Sequence, residues 1–211
     1  SIRDGGQFPE LDLVRRAITD WRFYHTFRSD KDSLLRRPSA NVTTPTLSSD
    51  GSDLAAVFAT LKEIRKDTFF LQEAVDDAFP QSQLIIEANG QDCRFALQTP
   101  EIRRPFPSQE LSDGTLQYLA LLGAMLSYRL PSFIALNEPE ASLHPDLLEP
   151  LAKVIAKASE RSQIWLVTHS EQLADHIANH AGAFPRRIYK ENGQTGIDGL
   201  KITGEFIGED Y

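Results

Sequence analysis

The sequence predicts an α/β fold with a parallel sheet in its second half. From Gln109 onwards, apolar runs of strand length alternate with segments of helical periodicity, which is typical of parallel strands joined by helical crossovers. Before this residue, two apolar runs flank Asn89-Gly90, a pair that favours a tight β-hairpin turn. We therefore divide the chain into a mixed helical and hairpin region, residues 1–108, and an α/β region, residues 109–211.

The first region is mainly helical apart from the hairpin. A helix over Leu11–Trp21 follows from apolar residues at helical spacing, and a second extends from the N-cap Asp53 to about Lys66. A third covers Phe69–Ala78 and ends before Pro80, which disfavours a continuing helix. We expect no regular element at 22–37 and a polar loop at 38–53. The two strands of the hairpin are predicted at 84–86 and 94–97.

The second region is predicted to contain helix, strand, helix, strand and helix in that order. Ser132–Leu136 and Gln163–Val167 are short apolar runs, as expected of buried parallel strands. Asn192-Gly193 indicates another hairpin after the last helix. The predicted helices are 115–128, 145–158 and 171–180, and the hairpin strands are 187–190 and 197–202.

Composition and charge exclude several classes of protein. The 211 residues are 41% hydrophobic and 25% charged, as in globular domains, and a single Cys93 excludes an internal disulfide. The net charge of -8 argues against binding nucleic acid with the whole surface, although a local patch such as Arg103-Arg104 stays open. No apolar run reaches the roughly 18 residues that span a bilayer, and no signal peptide is recognisable, so we expect a cytoplasmic protein without a membrane partner.

Glu138 is the first candidate for catalysis. It follows the strand Ser132–Leu136, and ligands of open α/β sheets bind beyond the carboxyl ends of strands. Because Pro139 disfavours a helical Glu138, the carboxylate projects from a turn, where it can orient and deprotonate a water that attacks a phosphate. The adjacent Asn137 offers a carboxamide oxygen to magnesium or its water. Taken alone, Glu138 and Glu140 also fit a solvated polar turn.

Two further segments contain candidate binding residues. Ser112, Asp113 and Gly114 precede a helix that begins near Thr115, and the free N–H groups of a helix N-terminus attract anions. The alternative is an ordinary helix cap provided by Ser112 or Asp113. His169 follows the second strand and can contact a γ-phosphate or polarise the attacking water. The alternative there is a loop histidine with local hydrogen bonds.

Together these segments resemble the C-terminal part of an ABC-type ATPase head, of the RecF/SMC-like kind found in bacterial AAA family ATPases. Leu111–Thr115 resembles the signature motif, Phe133–Glu138 resembles Walker B with its catalytic glutamate, Ala141–Pro145 resembles the D-loop, and His169 resembles the switch histidine. The resemblance covers about residues 108–180. It implies a P-loop NTPase-type half that lacks the Walker A segment, preceded by an arm or lid region.

The resemblance also implies a mechanism, cofactors and partners. Two heads would sandwich ATP and Mg²⁺, so the protein would be a homodimer joined through ATP. Glu138 would act as general base, Asn137 would help to hold the magnesium, and His169 would sense the γ-phosphate. Residues 112–114 would contact the nucleotide bound to the other head.

The chain departs from the family pattern at three points. Asn137 stands where the family has a magnesium-binding Asp, so we expect a lower metal affinity. Asp113 stands where the family has Gly, which brings a negative charge near the proposed phosphate site. No Gly-x-x-x-x-Gly-Lys-Ser/Thr phosphate loop occurs in these residues. We therefore expect the Walker A half upstream in the same protein, and no hydrolysis by this chain alone.

Two other functions remain open. The chain could belong to an ATP-gated dimerisation scaffold that does not hydrolyse ATP, with Asn137 marking the lost activity. The α/β region could instead be a binding module for DNA or for a protein partner, and the net charge of -8 argues against DNA.

Overall fold

The computed structural model describes residues 9–65, 68–191 and 193–200. Its helices are α1 (Pro9–Asp20), α2 (Leu54–Arg65), α3 (Phe69–Ala78), α4 (Asp113–Leu126), α5 (Leu148–Ser159) and α6 (Glu171–Ala181). Its strands are β1 (Arg22–Tyr24), β2 (Ser39–Ala40), β3 (Gln83–Asn89), β4 (Asp92–Gln98), β5 (Phe106–Pro107), β6 (Phe133–Asn137), β7 (Gln163–Val167), β8 (Ile188–Glu191) and β9 (Gln194–Ile197). Short 3₁₀ helices cover Leu34–Arg36, Ser108–Glu110 and Pro145–Leu147.

A parallel sheet in the order β1-β6-β7 forms the centre of the α/β region. Leu136 of β6 lies beside Tyr24 on one side and beside Leu166 on the other. The predicted α/β class is therefore confirmed. β1 lies in a segment for which the sequence predicts no regular element, because a strand of three residues is too short for a detectable alternation.

The two faces of the parallel sheet differ in burial. One face enters the main core through Tyr24, Ile134 and Leu136, which are at most 3% exposed. Helices α4 and α5 supply many residues of the same core. On the other face, Phe23 is 60% and Trp165 is 65% exposed. Parallel sheets are normally covered on both faces, whereas these two side chains are exposed among the residues that the structure describes.

The hairpin predicted at Asn89-Gly90 is confirmed. β3 and β4 pair in antiparallel register from Gln83↔Gln98 to Asn89↔Asp92. Gly90 in the turn has a φ of 63°, a left-handed conformation that glycine adopts without steric cost. β2 and β5 both pair with β4, and α2 packs against β3 and β4.

Several element boundaries in the α/β region differ from the prediction, and two of these differences have a local explanation. Helix α4 begins two residues before the predicted Thr115, because the Ser112 hydroxyl accepts a hydrogen bond from the Thr115 N–H and caps the helix there. Residues 145–147 form a 3₁₀ turn, and the regular helix α5 begins only after it.

The C-terminal hairpin is present but its second strand is displaced from the prediction. β9 is Gln194–Ile197, so only the first residue of the predicted strand 197–202 lies in it, and the prediction is wrong for residues 198–200. The reason is a tight connection, since Glu191 already pairs with Gln194. Asn192 and the residues from 201 onwards lie outside the described ranges.

The division of the chain at residue 108 stays a prediction. Residues 22–24 of the first region pair with residues 134–136 of the second, and both regions contribute to one hydrophobic core. Within the described ranges, no helix combines the length and the hydrophobicity that a membrane span requires.

Candidate functional site

The candidate site lies at the carboxyl edge of the parallel sheet. Asn137, the last residue of β6, is in register with Val167, the last residue of β7. β1 ends one position earlier, at Tyr24, and its next residue is His25. The residues that follow all three strands therefore meet at one edge, which is where open α/β sheets bind ligands.

Glu138 occupies a constrained turn at this edge. Its N–H donates to the Val167 carbonyl at 2.8 Å, which extends the β6–β7 ladder by one bond. Its carbonyl then accepts from the Ala141 N–H at 3.0 Å, which closes the turn. Glu138 has a φ of 49°, a left-handed conformation that costs a non-glycine residue on the order of 1 kcal/mol. The turn keeps the side chain at the edge, where it is 42% exposed.

The structure brings the two predicted catalytic residues together. His169 Nε2 lies 3.3 Å from Glu138 Oε1, and the His169 side chain is 84% exposed. The pair therefore has one side turned to solvent, where a ligand can approach. Their catalytic roles stay predictions.

Asn137 has a neighbour that the sequence does not reveal. Its amide Nδ2 lies 2.7 Å from Nδ1 of His25. An amide nitrogen can only donate, so this contact makes Nδ1 the acceptor and leaves the Asn137 Oδ1 free of His25. His25 is 112 positions away in the sequence, and no local motif points to it.

The side chains at this edge fit a magnesium ion that is held mainly by phosphate and water. Magnesium typically takes one or two protein oxygen ligands and keeps several waters. The Asn137 carboxamide oxygen is a hard ligand of that kind. Among the described residues, no cluster of three or more His, Cys, Asp and Glu side chains could hold a metal by itself.

Ser112 and Gly114 lie at a second location, the start of α4. Ser112 is the N-cap of the helix, as the alternative interpretation of this segment expects. A Cβ on Gly114 would lie 2.8 Å from the Ser142 carbonyl oxygen, a distance that real Cβ atoms do not tolerate. Gly114 is therefore required by the close approach of the residues that follow the Glu138 turn. The contact also fixes the relative position of the signature-like and D-loop-like segments.

Asp113 is paired with an arginine to which no sequence motif points. The Arg36 guanidinium donates to Asp113 Oδ1 at 2.7 Å, and its side chain is only 12% exposed. It also donates to the carbonyl oxygens of Gln109 and Leu111, at 2.9 and 2.8 Å. The charge of Asp113 is thus compensated on the side of Arg36. Its negative charge is a smaller obstacle to anion binding than the sequence suggests.

An open cleft of about 630 Å³ lies beside the start of α4. Ser112, Gly114, Ser142, His144 and Phe79 are among its lining residues, whereas Asp113, Glu138 and His169 are not. The predicted site residues therefore form two groups. One is the Asn137, Glu138 and His169 group at the sheet edge, and the other faces this cleft.

A family model described as "AAA domain, putative AbiEii toxin, Type IV TA system" matches residues 2–175. No curated protein matches the chain.

Solved structures of SMC heads are similar in fold. They include the Smc head domain with a coiled coil and joint from Pyrococcus yayanosii, at 14% identity and a TM-score of 0.51, covering 70% of this chain and 28% of that one. The Pyrococcus furiosus Smc head bound to the C-terminal domain of ScpA has 12% identity and a TM-score of 0.51, with 71% and 37% covered. An SmcHead bound to the C-winged helix domain of ScpA has 13% identity and a TM-score of 0.53, with 85% and 56% covered.

These similarities establish the fold and no more, because all three identities are low. The P-loop NTPase-like fold of an SMC head, predicted from the motifs, is confirmed. The chain spans between 28% and 56% of the length of these three structures.

Proposed function

Because the chain belongs to the AAA-domain family whose model matches it over residues 2–175, we propose that it supplies the hydrolytic edge of an ATPase head. The observation that carries this proposal is the pair of Glu138 and His169, 3.3 Å apart beyond the carboxyl ends of adjacent parallel strands. A carboxylate and an imidazole at such a position suit phosphoryl transfer to water.

Glu138 is the general base in this proposal. It accepts a proton from a water whose oxygen attacks the γ-phosphorus, and the bond to the β–γ bridging oxygen breaks, giving ADP and phosphate. His169 lies beside Glu138 and is mostly exposed, so its ring can turn from the carboxylate to a γ-phosphate oxygen. Binding of the γ-phosphate would thereby be sensed where the water is activated.

Asn137 is the proposed magnesium ligand. Its nitrogen is turned to His25, so its oxygen is available to the metal or to a metal-bound water. When bound there, the ion would supply charge neutralisation to the phosphates, and the Asn137 oxygen would help to hold it. The neutral amide lacks the charge of a carboxylate, so the ion would be held chiefly by the nucleotide.

The cleft beside α4 is the proposed contact with a second nucleotide. The cleft lies at the N-terminus of α4, where Ser112, Asp113 and Gly114 are found, and a helix N-terminus favours anions. Glu138 does not line this cleft, so the two sites are separate. A head with two separate nucleotide surfaces suits an ATP sandwich between two copies. The homodimer would then be joined through ATP, as the family resemblance implies.

In this proposal the phosphate loop would come from outside these 211 residues, since the motif does not occur within them. The uncovered part of the sheet suggests where it docks. Among the described residues, no strand pairs with the free side of β7, and Trp165 on that strand is 65% exposed. A parallel strand added beside β7 would end at the same edge as Glu138. A helix following it could then cover the open face.

The experiment uses the natural protein that contains this chain. Phosphate release from ATP is compared for the wild type, Glu138→Gln and the control Glu149→Gln, a change in an exposed glutamate of α5. Loss of a general base lowers kcat by about 10² to 10⁴-fold, whereas the control stays near the wild type. Equal turnover by wild type and Glu138→Gln would show that the proposal is wrong.

The second candidate is an ATP-gated scaffold, favoured by Asn137 at the magnesium position. Light scattering with and without ATP separates the two. A hydrolase accumulates the ATP-bound dimer only as Glu138→Gln, while a scaffold dimerises equally in both forms without phosphate release.

The third candidate is a DNA-binding module. Such a module would shift the mobility of a labelled duplex in a salt-dependent way. The net charge of -8 argues against DNA binding.

A further inference from the structure

Glu140 is a second acid in the Glu138 turn, and the proposed chemistry does not use it. Its Oε1 accepts hydrogen bonds from Thr168 Oγ1 at 2.6 Å, from the His169 N–H at 2.9 Å and from the Ser170 N–H at 3.2 Å. Three donors on one oxygen make a firm attachment, because hydrogen bonds to a carboxylate are stronger than those between neutral groups. The attached segment is the loop that presents His169.

The setting of Glu140 favours an anchoring role over a solvated one. Its Oε2 is buried and has no hydrogen-bond partner among the described residues. Ser170 is also the N-cap of α6, so the carboxylate lies at the positive end of that helix. A surface acid would place both oxygens in water. Glu140 instead directs one oxygen at the loop and buries the other.

The same turn makes a second contact two residues later. Ser142 has a φ of 68°, and its carbonyl oxygen lies against Gly114 so closely that a Cβ there would be 2.8 Å away. The segment 138–142 therefore contacts the His169 loop through Glu140 and the start of α4 through Ser142. It is short and its turn is closed by hydrogen bonds of Ala141 and Leu143 to Glu138 and Glu140 carbonyls.

We propose that Glu140 is a positioning residue that holds His169 at its distance from Glu138, and that segment 138–142 couples this loop to the nucleotide-facing start of α4. A displacement of the His169 loop would be passed through Glu140 and Ser142 to Gly114. The two ATP-facing surfaces of one head would then move together. This inference rests on the proposed function for its consequence, but its structural link can be tested separately.

The test uses the natural protein that contains this chain, in four forms. Glu140→Ala removes the anchor, Glu140→Gln keeps an acceptor oxygen, Thr168→Val removes one donor, and Glu87→Ala changes an exposed acid on β3 as the control. Three quantities are measured for each variant and for the wild type: amide hydrogen exchange by mass spectrometry, the steady-state rate of ATP turnover, and the affinity for ATP.

In Glu140→Ala, exchange should rise about tenfold or more at residues 168–170 and also at 112–116, with the rest of the head unchanged. kcat should fall at least about tenfold while ATP affinity changes less than about threefold, because the base is intact and its partner is misplaced. Glu140→Gln should restore most of kcat. Thr168→Val removes only one of the three donors, so it should give a smaller rise in exchange at 168–170. If Glu140→Ala does not fold, Thr168→Val is used for the test in its place.

The hydrogen-exchange results test the structural role of Glu140, and the turnover results test the proposed ATP hydrolysis. Unchanged exchange at 168–170, or a uniform rise throughout the head, would overturn the anchor. A rise at 168–170 without one at 112–116 would overturn the coupling. If the wild type shows no ATP turnover, the proposed function fails while the exchange data still decide the link.

Discussion

Arg36 Nη2 lies 2.7 Å from Asp113 Oδ1, although 77 positions separate the two residues in the sequence. The arginine is largely buried and also donates hydrogen bonds to the backbone carbonyls of Asp30 and Leu111. It therefore joins the loop after β1 to the residues that lead into α4. The start of α4 is held by this side chain as well as by its own cap.

Replacing Arg36 should destabilise the chain strongly. Arg36→Ala leaves several carbonyl groups without a donor and removes the partner of Asp113, so we expect a loss of roughly 2–4 kcal/mol in the free energy of unfolding. Urea denaturation measures it. The neighbouring Arg37 is exposed, and Arg37→Ala should stay within about 0.5 kcal/mol of the wild type. Similar losses in both variants would contradict an anchoring role specific to Arg36.

Gly114→Ala should disrupt the close contact between the start of α4 and Ser142. The new methyl group would meet the Ser142 carbonyl oxygen at 2.8 Å, so the loop must move, at a cost of about 1–3 kcal/mol. Gly90→Ala serves for comparison, because Gly90 has a positive φ but a Cβ added there would have no neighbouring atom within 4 Å. That variant should lose about 1 kcal/mol. Only Gly114→Ala should also weaken ATP-dependent dimerisation in the natural protein, and equal dimerisation would count against the proposed cleft.

Asn137→Asp should strengthen metal binding if Asn137 faces magnesium. A carboxylate adds a negative charge at the same position, so the Mg²⁺ concentration for half-maximal nucleotide binding should fall by about tenfold. Titration with Mn²⁺, followed by electron paramagnetic resonance, gives the affinity directly. Asn89→Asp places the same charge at the end of β3 and should leave the titration unchanged. No difference between the two variants would remove Asn137 from the site.

Trp165 should matter more in the natural protein than in this chain. It is 65% exposed here, so Trp165→Ser should change the stability of the isolated 211 residues by less than about 1 kcal/mol. If a further strand and helix cover this face, the same change should cost about 2–3 kcal/mol there. Thermal and denaturant unfolding of both lengths test the difference. Equal effects would mean that the face stays uncovered.

Asp20 should make part of the stability depend on pH. The Ser132 N–H donates to its carboxylate at 2.7 Å, and this hydrogen bond is the main reason that the pKa of Asp20 is lowered. A lowered pKa in the folded state means that the stabilisation is complete above about pH 4, the unfolded value, and is lost as the pH falls through the folded value. Asp20→Asn should therefore lose less stability between pH 7 and pH 3 than the wild type. Parallel pH curves from urea titrations would contradict this.

The sequence predicted elements best where the signals are local. Phe69–Ala78 and Gln163–Val167 were obtained with the observed bounds, because periodicity and flanking residues define them. β1 was missed because its three residues are stabilised by pairing with β6, more than a hundred positions away. The second strand of the last hairpin was misplaced because the turn is tighter than the apolar pattern suggests.

The candidate site follows the same rule. Glu138, Asn137 and His169 could be named because each lies at the end of an apolar strand or within two residues of it. Arg36 and His25 could not, because their partners are distant in the sequence and neither residue belongs to a motif. Motifs therefore identified the groups proposed to do chemistry. The side chains that orient them became visible only in three dimensions.

The left-handed backbone of Glu138 has a consequence for anyone who redesigns this chain. At a φ of 49°, Asn or Gly fits the backbone better than Glu, and Asn there should raise folding stability by up to about 1 kcal/mol. A design procedure that optimises stability alone would thus replace the proposed catalytic acid among its first choices. Position 138 must be held fixed in such work, and a thermostable variant that has lost turnover should be sequenced there first.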